Sequence, residues 1–314
     1  MINKKSKIYL AGHRGMVGSA ILDLLKKKNF KNLITRTKEQ LNLQDQTKTF
    51  NFLMKYKPEI VIIAAAKVGG IKANNTKRAE FIYENAQIQN NLIHGSYMAG
   101  VKKLIFLGSS CIYPRDCKQP IKEKYILNGK LEYTNEPYAI AKILGVKMIE
   151  NYNTQYGTDY LCLMPCNLYG PNDNYDLDNS HFLPAMIRKL HEAKINNKKT
   201  VTFWGNGKPK RELMHVDDLA DACLHFLNIK TKECLINVGS AQEYTIKKFS
   251  RIISKNLGYS GKIIFNKNKL NGTTRKILDS SLARKYGWKA NLIFEEKIDS
   301  IYRDFKNSFK KKIT

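Results

Sequence analysis

The stretch GSSCIYP, Gly108 to Pro114, sets two serine hydroxyls, a thiol and a phenol directly after the apolar run KKLIFL. Further along, EPYAIAK places Tyr138 and Lys142 four residues apart, hence on one face of a helix. A phenol with its ordinary pKa of about 10 is a poor acid or base at neutral pH. An ammonium fixed one turn away stabilises the phenolate and is expected to lower that value. Such a pair can pass a proton to or from a carbonyl oxygen during hydride transfer, and a hydroxyl from the GSS strand end can hold the same oxygen. Tyrosine and lysine at this spacing occur by chance on many helices, and the serine-bearing strand end one element earlier is what gives them weight. Taken alone, Cys111 stays open: a small core residue, half of a disulfide, a metal ligand or a reactive thiol.

AGHRGMVGSA carries Gly12, Gly15 and Gly18 between the first apolar strand and the first amphipathic helix. There, glycines permit a tight turn, close approach of backbone N–H groups to a pyrophosphate, and close helix–strand packing. The spacing is GxxGxxG rather than GxGxxG, and its position makes dinucleotide binding the expectation. In NAD-binding proteins an acidic residue near the end of the second strand meets the ribose 2′-hydroxyl. Here that region reads LITRTKEQ, with Arg36 and Lys38, and Arg14 lies inside the glycine loop. These cations suit a 2′-phosphate, so NADP(H) is favoured over NAD, with Glu39 as the dissenting residue.

A frame has to hold these groups. Expected strands at 7–12, 32–35, 59–66, 102–110 and 159–167 alternate with helices at 16–30, 45–56, 76–100 and 137–157. This rhythm predicts an α/β fold of Rossmann type, a doubly wound parallel sheet with helices on both faces. After residue 168 it loosens. NLYGPNDNYDLDNSHFLP reads mostly as loop, followed by helices at 181–193, 216–229, 245–257 and 295–308 and short strands at 201–204, 234–238 and 262–265. The expected organisation is an NADP-binding domain over 1–168 and a smaller, mainly substrate-binding α/β lobe over 169–314, part of which returns to the sheet.

Among the 314 residues no apolar run reaches the roughly 18 that a membrane span needs. The opening MINKKSKIYLAG passes from a basic hexapeptide straight into a strand, so a soluble, cytoplasmic protein without a membrane partner is expected. The six cysteines form no CxxC pair, which argues against zinc and against a disulfide framework, and no metal is expected. With 54 basic and 27 acidic residues the formal net charge is +27. The lysines are scattered, without a recognition motif or aromatic–basic alternation. The charge therefore reads as compositional, of some benefit for an anionic small substrate, and no nucleic-acid partner is expected.

The glycine loop, the Ser109 strand end and the Tyr138/Lys142 pair, together with AAAKVGG (64–70) and PCNLYGP (165–171), resemble the short-chain dehydrogenase/reductase family in its extended form. The resemblance covers nearly the whole chain. SSCIYP, VGGIKANN, NEPYAIAK, SHFLPA and RELMHVDD narrow it to a branch that epimerises GDP-4-keto-6-deoxy-D-mannose at C3 and C5 and then reduces C4 with NADPH. Both carbons flank a ketone, so their protons are acidic, and inversion needs a base on one face and an acid on the other. The resemblance implies Cys111 as that base and His181 as that acid, with Ser109 and Tyr138 holding the C4 oxygen and Lys142 beside them. A free thiol is only slightly ionised at neutral pH, so a nearby cation or hydrogen bond must help it. Implied cofactor contacts are Gly12, His13, Arg14, Gly15, Met16, Val17 and Gly18; Arg36 and Lys38; Leu107, Gly108, Ser109 and Ser110; Lys142; Pro165, Cys166, Asn167 and Leu168; and His181. Implied contacts to the GDP-sugar are Lys189, Trp204, Arg211, Asn271 and Lys276. A homodimer built on helices 76–100 and 137–157 is implied as well.

The chain departs from the family pattern in places. Asn271 stands where an aspartate is usual, Thr274 where a proline is, Lys189 and Lys38 where arginines are, and Cys166 where a threonine is. At Lys189 bidentate phosphate contact is lost. Two other readings compete. A nucleotide-sugar 4-epimerase or dehydratase recycling tightly held NAD needs no Cys/His pair, and dehydratases usually want a glutamate near the serine, which SSCIYP lacks. A non-catalytic NADP-binding or nucleic-acid-binding protein predicts a damaged Ser–Tyr–Lys set.

Overall fold

Continuous apolar runs, rather than alternating ones, form the central strands, because helices cover both faces of the sheet. The computed structural model describes residues 2–177, 180–267 and 273–310. The first half runs β1 (Ile8–Ala11), α1 (Met16–Lys27), β2 (Leu33–Ile34), α2 (Gln46–Tyr56), β3 (Ile60–Ile63), α3 (Ile71–Thr76), α4 (Arg78–Met98), β4 (Lys103–Leu107), α5 (Glu136–Tyr156) and β5 (Asp159–Pro165). Every residue of β1, β3 and β4 is buried. Asp45 caps α2 by accepting from the Lys48 N–H at 3.0 Å, and Gly157, in the left-handed conformation, ends α5.

The rest runs β6 (Asn167–Tyr169), α6 (Phe182–Ile195), β7 (Thr200–Trp204), β8 (Lys210–His215), α7 (Val216–Leu227), β9 (Leu235–Val238), β10 (Glu243–Thr245), α8 (Ile246–Leu257), β11 (Lys262–Asn266), β12 (Arg275–Lys276), α9 (Ser281–Lys285) and α10 (Phe294–Lys310). The main sheet is parallel, in the order β2-β1-β3-β4-β5-β9. A smaller sheet has the order β10-β8-β12, with β6 also paired to β8, and β7 pairs with β11. One apolar core gathers side chains from 8–166, 214–238 and 278–288, and a second gathers them from 169–213 and 244–309.

Three expectations need correction. The helix expected over 76–100 is α4, but a short helix that was not expected, α3, precedes it, with Lys77 breaking the helical geometry between the two. Strand β4 ends at Leu107 rather than 110: Ser110–Ile112 is a single tight turn, capped by the Ser109 hydroxyl, which accepts from the Cys111 N–H at 3.4 Å. Strands β6, β8, β10 and β12 were not expected at all. Strand β8, KRELMH, buries a glutamate among apolar residues, which masks the apolar pattern of a core strand.

Among the described residues no helix is long and apolar enough to cross a membrane, and no cluster of His, Cys, Asp or Glu is placed to hold a metal ion. All six cysteines are free thiols.

At the amino end of β4 the buried Lys103 ammonium donates to both Asp159 carboxylate oxygens, at 2.8 and 2.9 Å, and to the Ile229 carbonyl at 2.9 Å. This one cation ties β4 to β5 and to the turn before β9. Removing the carboxylate leaves a buried charge with a single neutral acceptor. Asp159→Ala should therefore lower the urea-unfolding free energy by about 3 kcal/mol; a loss of only a few tenths would show that solvent reaches Lys103.

Candidate active site

The carboxyl ends of β1, β3, β4 and β5 open into a cleft of about 850 Å³, the crevice where doubly wound sheets take their ligands. Gly12, Gly15 and Gly18 lie along it, and their roles differ. Gly12 has φ +88°, and a Cβ there would stand 2.6 Å from the Ala65 nitrogen. A Cβ on Gly18 would fall 2.0 Å from the Gly12 carbonyl oxygen. These two glycines let the loop press against β3 and α1. At Gly15 a Cβ would meet only the Gly12 oxygen, at 3.6 Å. Gly15 caps α1, so the space beside it faces a helix N-terminus, which suits a pyrophosphate.

Arg36 and Lys38 line the same cleft. The Arg36 guanidinium donates to the Tyr56 hydroxyl and to the Thr35 carbonyl, each at 2.8 Å, and stacks over the Phe52 and Tyr56 rings. Arg14 does not join them. It faces Glu39 at 3.9 Å, both side chains exposed, and neither Arg14 nor His13 nor Ser110 forms part of the cleft wall. The buried His13 Nδ1 has no hydrogen-bond partner among the described residues. Glycines open to an anion, a helix N-terminus and two cations at the second strand fit a 2′-phosphorylated dinucleotide.

Ser109, Tyr138, Lys142 and His181 all line the cleft. The Lys142 ammonium is 3 % exposed, donates to the Leu107 carbonyl at 2.8 Å and sits over the Phe106 ring. Burial brings its pKa down to about 8, with Cys111 and Cys162 acting the other way. The expected lowering of the Tyr138 pKa is not found: burial, with a smaller push from Cys111, holds the phenol well above its ordinary value. Tyr138 is therefore set to keep its proton and donate it. Cys111 lies just behind, 6 % exposed. Burial pushes its thiol up, opposed first by the Lys276 ammonium, then by the Ser109 hydroxyl and Lys142. His181 is the N-cap residue of α6 but makes no side-chain cap bond, and burial, then Lys276, pull its pKa down. Four other histidines have structural partners: His94 Tyr152, His191 Tyr302, His225 the Tyr286 carbonyl, and His215 the Asp217 N–H.

Residues 8–239 match the family model described as the NAD dependent epimerase/dehydratase family. The chain belongs to that family. Among proteins of this kind, it is 49% identical to putative GDP-L-fucose synthase 2 of Arabidopsis thaliana, over 96% of this chain and 92% of the relative. It is 46% identical to GDP-L-fucose synthase of Escherichia coli (strain K12), over 96% and 97%. MlghC, a GDP-mannoheptose C4 reductase from Campylobacter jejuni solved with NADP bound, superposes with a TM-score of 0.88 at 38% identity, covering 98% of this chain and all of the other.

In this epimerase/dehydratase chain Met16, Val17, Leu107, Gly108, Pro165, Cys166, Asn167 and Leu168 also line the cleft. The residues expected to meet the GDP-sugar stand beyond its wall. Lys189 lies 6.0 Å from the Trp204 ring, which is 68 % exposed. Arg211 and Lys276 face each other in parallel register on β8 and β12. Asn271 lies outside the described residues. Sequence reasoning assigned no role to Asn42, Gln44, Ala64, Lys67 or Asn74, all in the cleft wall. Lys67 forms close ion pairs with Glu80 and Glu84, and its N–H donates to Asn85 at 2.8 Å. Its place at the carboxyl end of β3 was the available signal, since every strand of such a sheet points that end at the crevice.

The field of Lys276 on Cys111 gives a direct test. Removing the cation as Lys276→Met should move the pH profile of Cys111 alkylation, followed by peptide mass spectrometry, to higher pH. An unmoved profile would place Lys276 electrostatically outside the site.

Proposed function

We propose that the chain converts GDP-4-keto-6-deoxy-D-mannose to GDP-L-fucose, by epimerisation at C3 and C5 followed by NADPH-dependent reduction at C4. The observation that carries this reading is that His181 lines one cleft with Ser109, Tyr138 and Lys142, while buried Cys111 lies on the turn that leaves β4 beside Ser109. Lys276 bears electrostatically on both the thiol and the imidazole, which supports their working as a pair beside the Ser109–Tyr138–Lys142 set. A plain reductase has no use for that pair.

The Cys111 thiolate takes the proton from a carbon flanking the C4 ketone, and Ser109 and Tyr138 donate hydrogen bonds to the C4 oxygen as enolate charge builds there. His181 returns a proton on the opposite face, and the pair resets through solvent. Tyr138, whose phenol burial keeps protonated, then donates its proton to the C4 oxygen. NADPH, when bound, supplies the hydride for C4. Gly15 and the α1 N-terminus would hold its pyrophosphate, Arg36 and Lys38 its 2′-phosphate, and Lys142 its nicotinamide ribose. Arg211 and Lys276, side by side on adjacent strands, meet the substrate diphosphate, and Trp204 with Lys189 flanks the nucleotide.

The chain acts in the cytoplasm as a homodimer. Helices α4 and α5 pack together and expose Tyr97, Met98, Ile140, Leu144 and Tyr156, an apolar surface suited to the same surface of a second copy. Leu144→Arg should halve the mass seen by light scattering while NADPH binding persists; a wild-type chain already of single mass would remove the dimer from this reading.

The activity is tested by supplying GDP-4-keto-6-deoxy-D-mannose and NADPH, following NADPH loss and identifying the sugar. Cys111→Ser in deuterated water should lose deuterium uptake at C3 and C5 by about 100-fold or more, with NADPH binding intact. NADPH consumption without exchange in the wild type would leave a C4 reductase alone, and no consumption at all would sink the proposal.

A further inference from the structure

RELMHVDD contributes Arg211 to the reading above, and the residue beside it has no assigned task. Glu212 is 1 % exposed in the middle of β8. Its two carboxylate oxygens each accept one backbone N–H, from Ala241 at 2.8 Å and from Leu278 at 2.9 Å. A Cβ on Gly239 would lie 2.4 Å from the same carboxylate, so the turn 239–241 is folded tightly onto it. Ala241 there has φ +58°, a left-handed geometry that an alanine seldom takes without something to hold it. Leu278 lies two residues past the end of β12. On its other side that segment pairs with Ile121, whose N–H donates to the Ile277 carbonyl at 2.8 Å and whose carbonyl accepts from the Asp279 N–H at 2.8 Å. Ile121 is joined to the Cys111 turn through Asn237, which donates to the Ile121 carbonyl and accepts from the Tyr113 hydroxyl.

We infer that Glu212 is a positioning residue for the nucleotide-sugar site: its buried carboxylate pins the strand that presents Lys276 and sets that ammonium opposite Arg211. The inference rests on the proposed function for the ligand those two cations meet. The chemistry singles out a carboxylate. Two N–H donors converge on one side chain, and only Asp or Glu offers two acceptor oxygens; a glutamine of the same shape would turn an N–H₂ toward one of the donors. Two cations held opposite one another repel, and Arg211 does pull the Lys276 pKa down after burial. Such a strand needs an anchor to stay in place before its anion arrives. Burial raises the Glu212 pKa to about 7, so the anchor is maintained against a desolvation cost.

The test compares Glu212→Gln with Glu212→Asp in the full chain, reading GDP affinity by calorimetry, NADPH affinity by fluorescence, and KM against kcat. Glu212→Gln should weaken GDP binding and raise KM for the GDP-sugar about tenfold, with NADPH affinity changed less than about twofold. Glu212→Asp, shorter but with two acceptors, should lie nearer the wild type than Gln does. A purely packing role reverses that order, because Gln matches Glu in volume, and the reversed order overturns the inference. Lys276→Met should weaken GDP binding to a similar extent, and Glu212→Asp should add nothing further in its background; fully additive losses also overturn it. This cycle reads the coupling even where Glu212→Gln does not fold. A wild type that binds NADPH but not GDP overturns the functional reading and this inference with it. A wild type that binds GDP, alongside a Gln variant that binds equally well, overturns this inference alone.

Discussion

An ammonium closed off from water must find an acceptor, and for Lys142 that acceptor is the last carbonyl of β4. The bond fixes α5 along the strand to within one hydrogen-bond length. The helix also presses close: a Cβ on Gly145 would stand 2.7 Å from the Phe106 ring, and Gln89 of α4 bonds the Ala141 carbonyl. Once α5 is seated, Tyr138 faces the cleft one turn from Lys142, and the Ser109–Cys111 turn leaves β4 directly beneath it. The Ser109–Cys111 turn and the Tyr138/Lys142 pair, from two separate segments, thus depend on one contact. Their electrical character follows from the same burial, which leaves the phenol protonated and draws the lysine toward neutrality.

The second core completes what the first begins. The chain passes from one to the other at Tyr169 and back at Met214, so β6 and β8 lie at the junction. His181 comes from the loop before α6, and Lys276 from a strand clamped between β8 and Ile121. The glycine-loop side of the cleft is therefore built on the main sheet, and His181 and Lys276 come from segments that cross between cores. That division suits an enzyme in which a shared hydride donor meets a particular sugar.

Much of this was legible in the sequence, and the reasons differ by residue. The glycine loop, Ser109 and the Tyr138/Lys142 pair are local patterns, each within one strand–turn–helix step, and the structure brings them together. Their neighbours Arg36 and Lys38 follow from knowing where a second strand ends. What stayed hidden depends on contacts between distant segments. Strand β8 carries no clean alternation because Glu212 occupies a buried position that only backbone donors from residues 241 and 278 make tolerable. Strand β12 is two residues long and owes its place to its neighbours. Lys276 was expected to meet substrate, but its reach to both Cys111 and His181 is a property of three separate chain segments. The direction of the Tyr138 shift was misjudged because spacing shows a nearby cation and says nothing of how much water has gone.

Arg36 shows what such prior fixing does. Its guanidinium is held by hydrogen bonds to Tyr56 and Thr35 and lies over two aromatic rings, 5.4 and 5.0 Å from their centroids. A solvent-exposed arginine samples many rotamers and must give them up when an anion arrives. Arg36 has already given them up on folding, so an oxyanion docking there meets a receptor of fixed shape, and its affinity is not eroded by ordering the side chain that receives it.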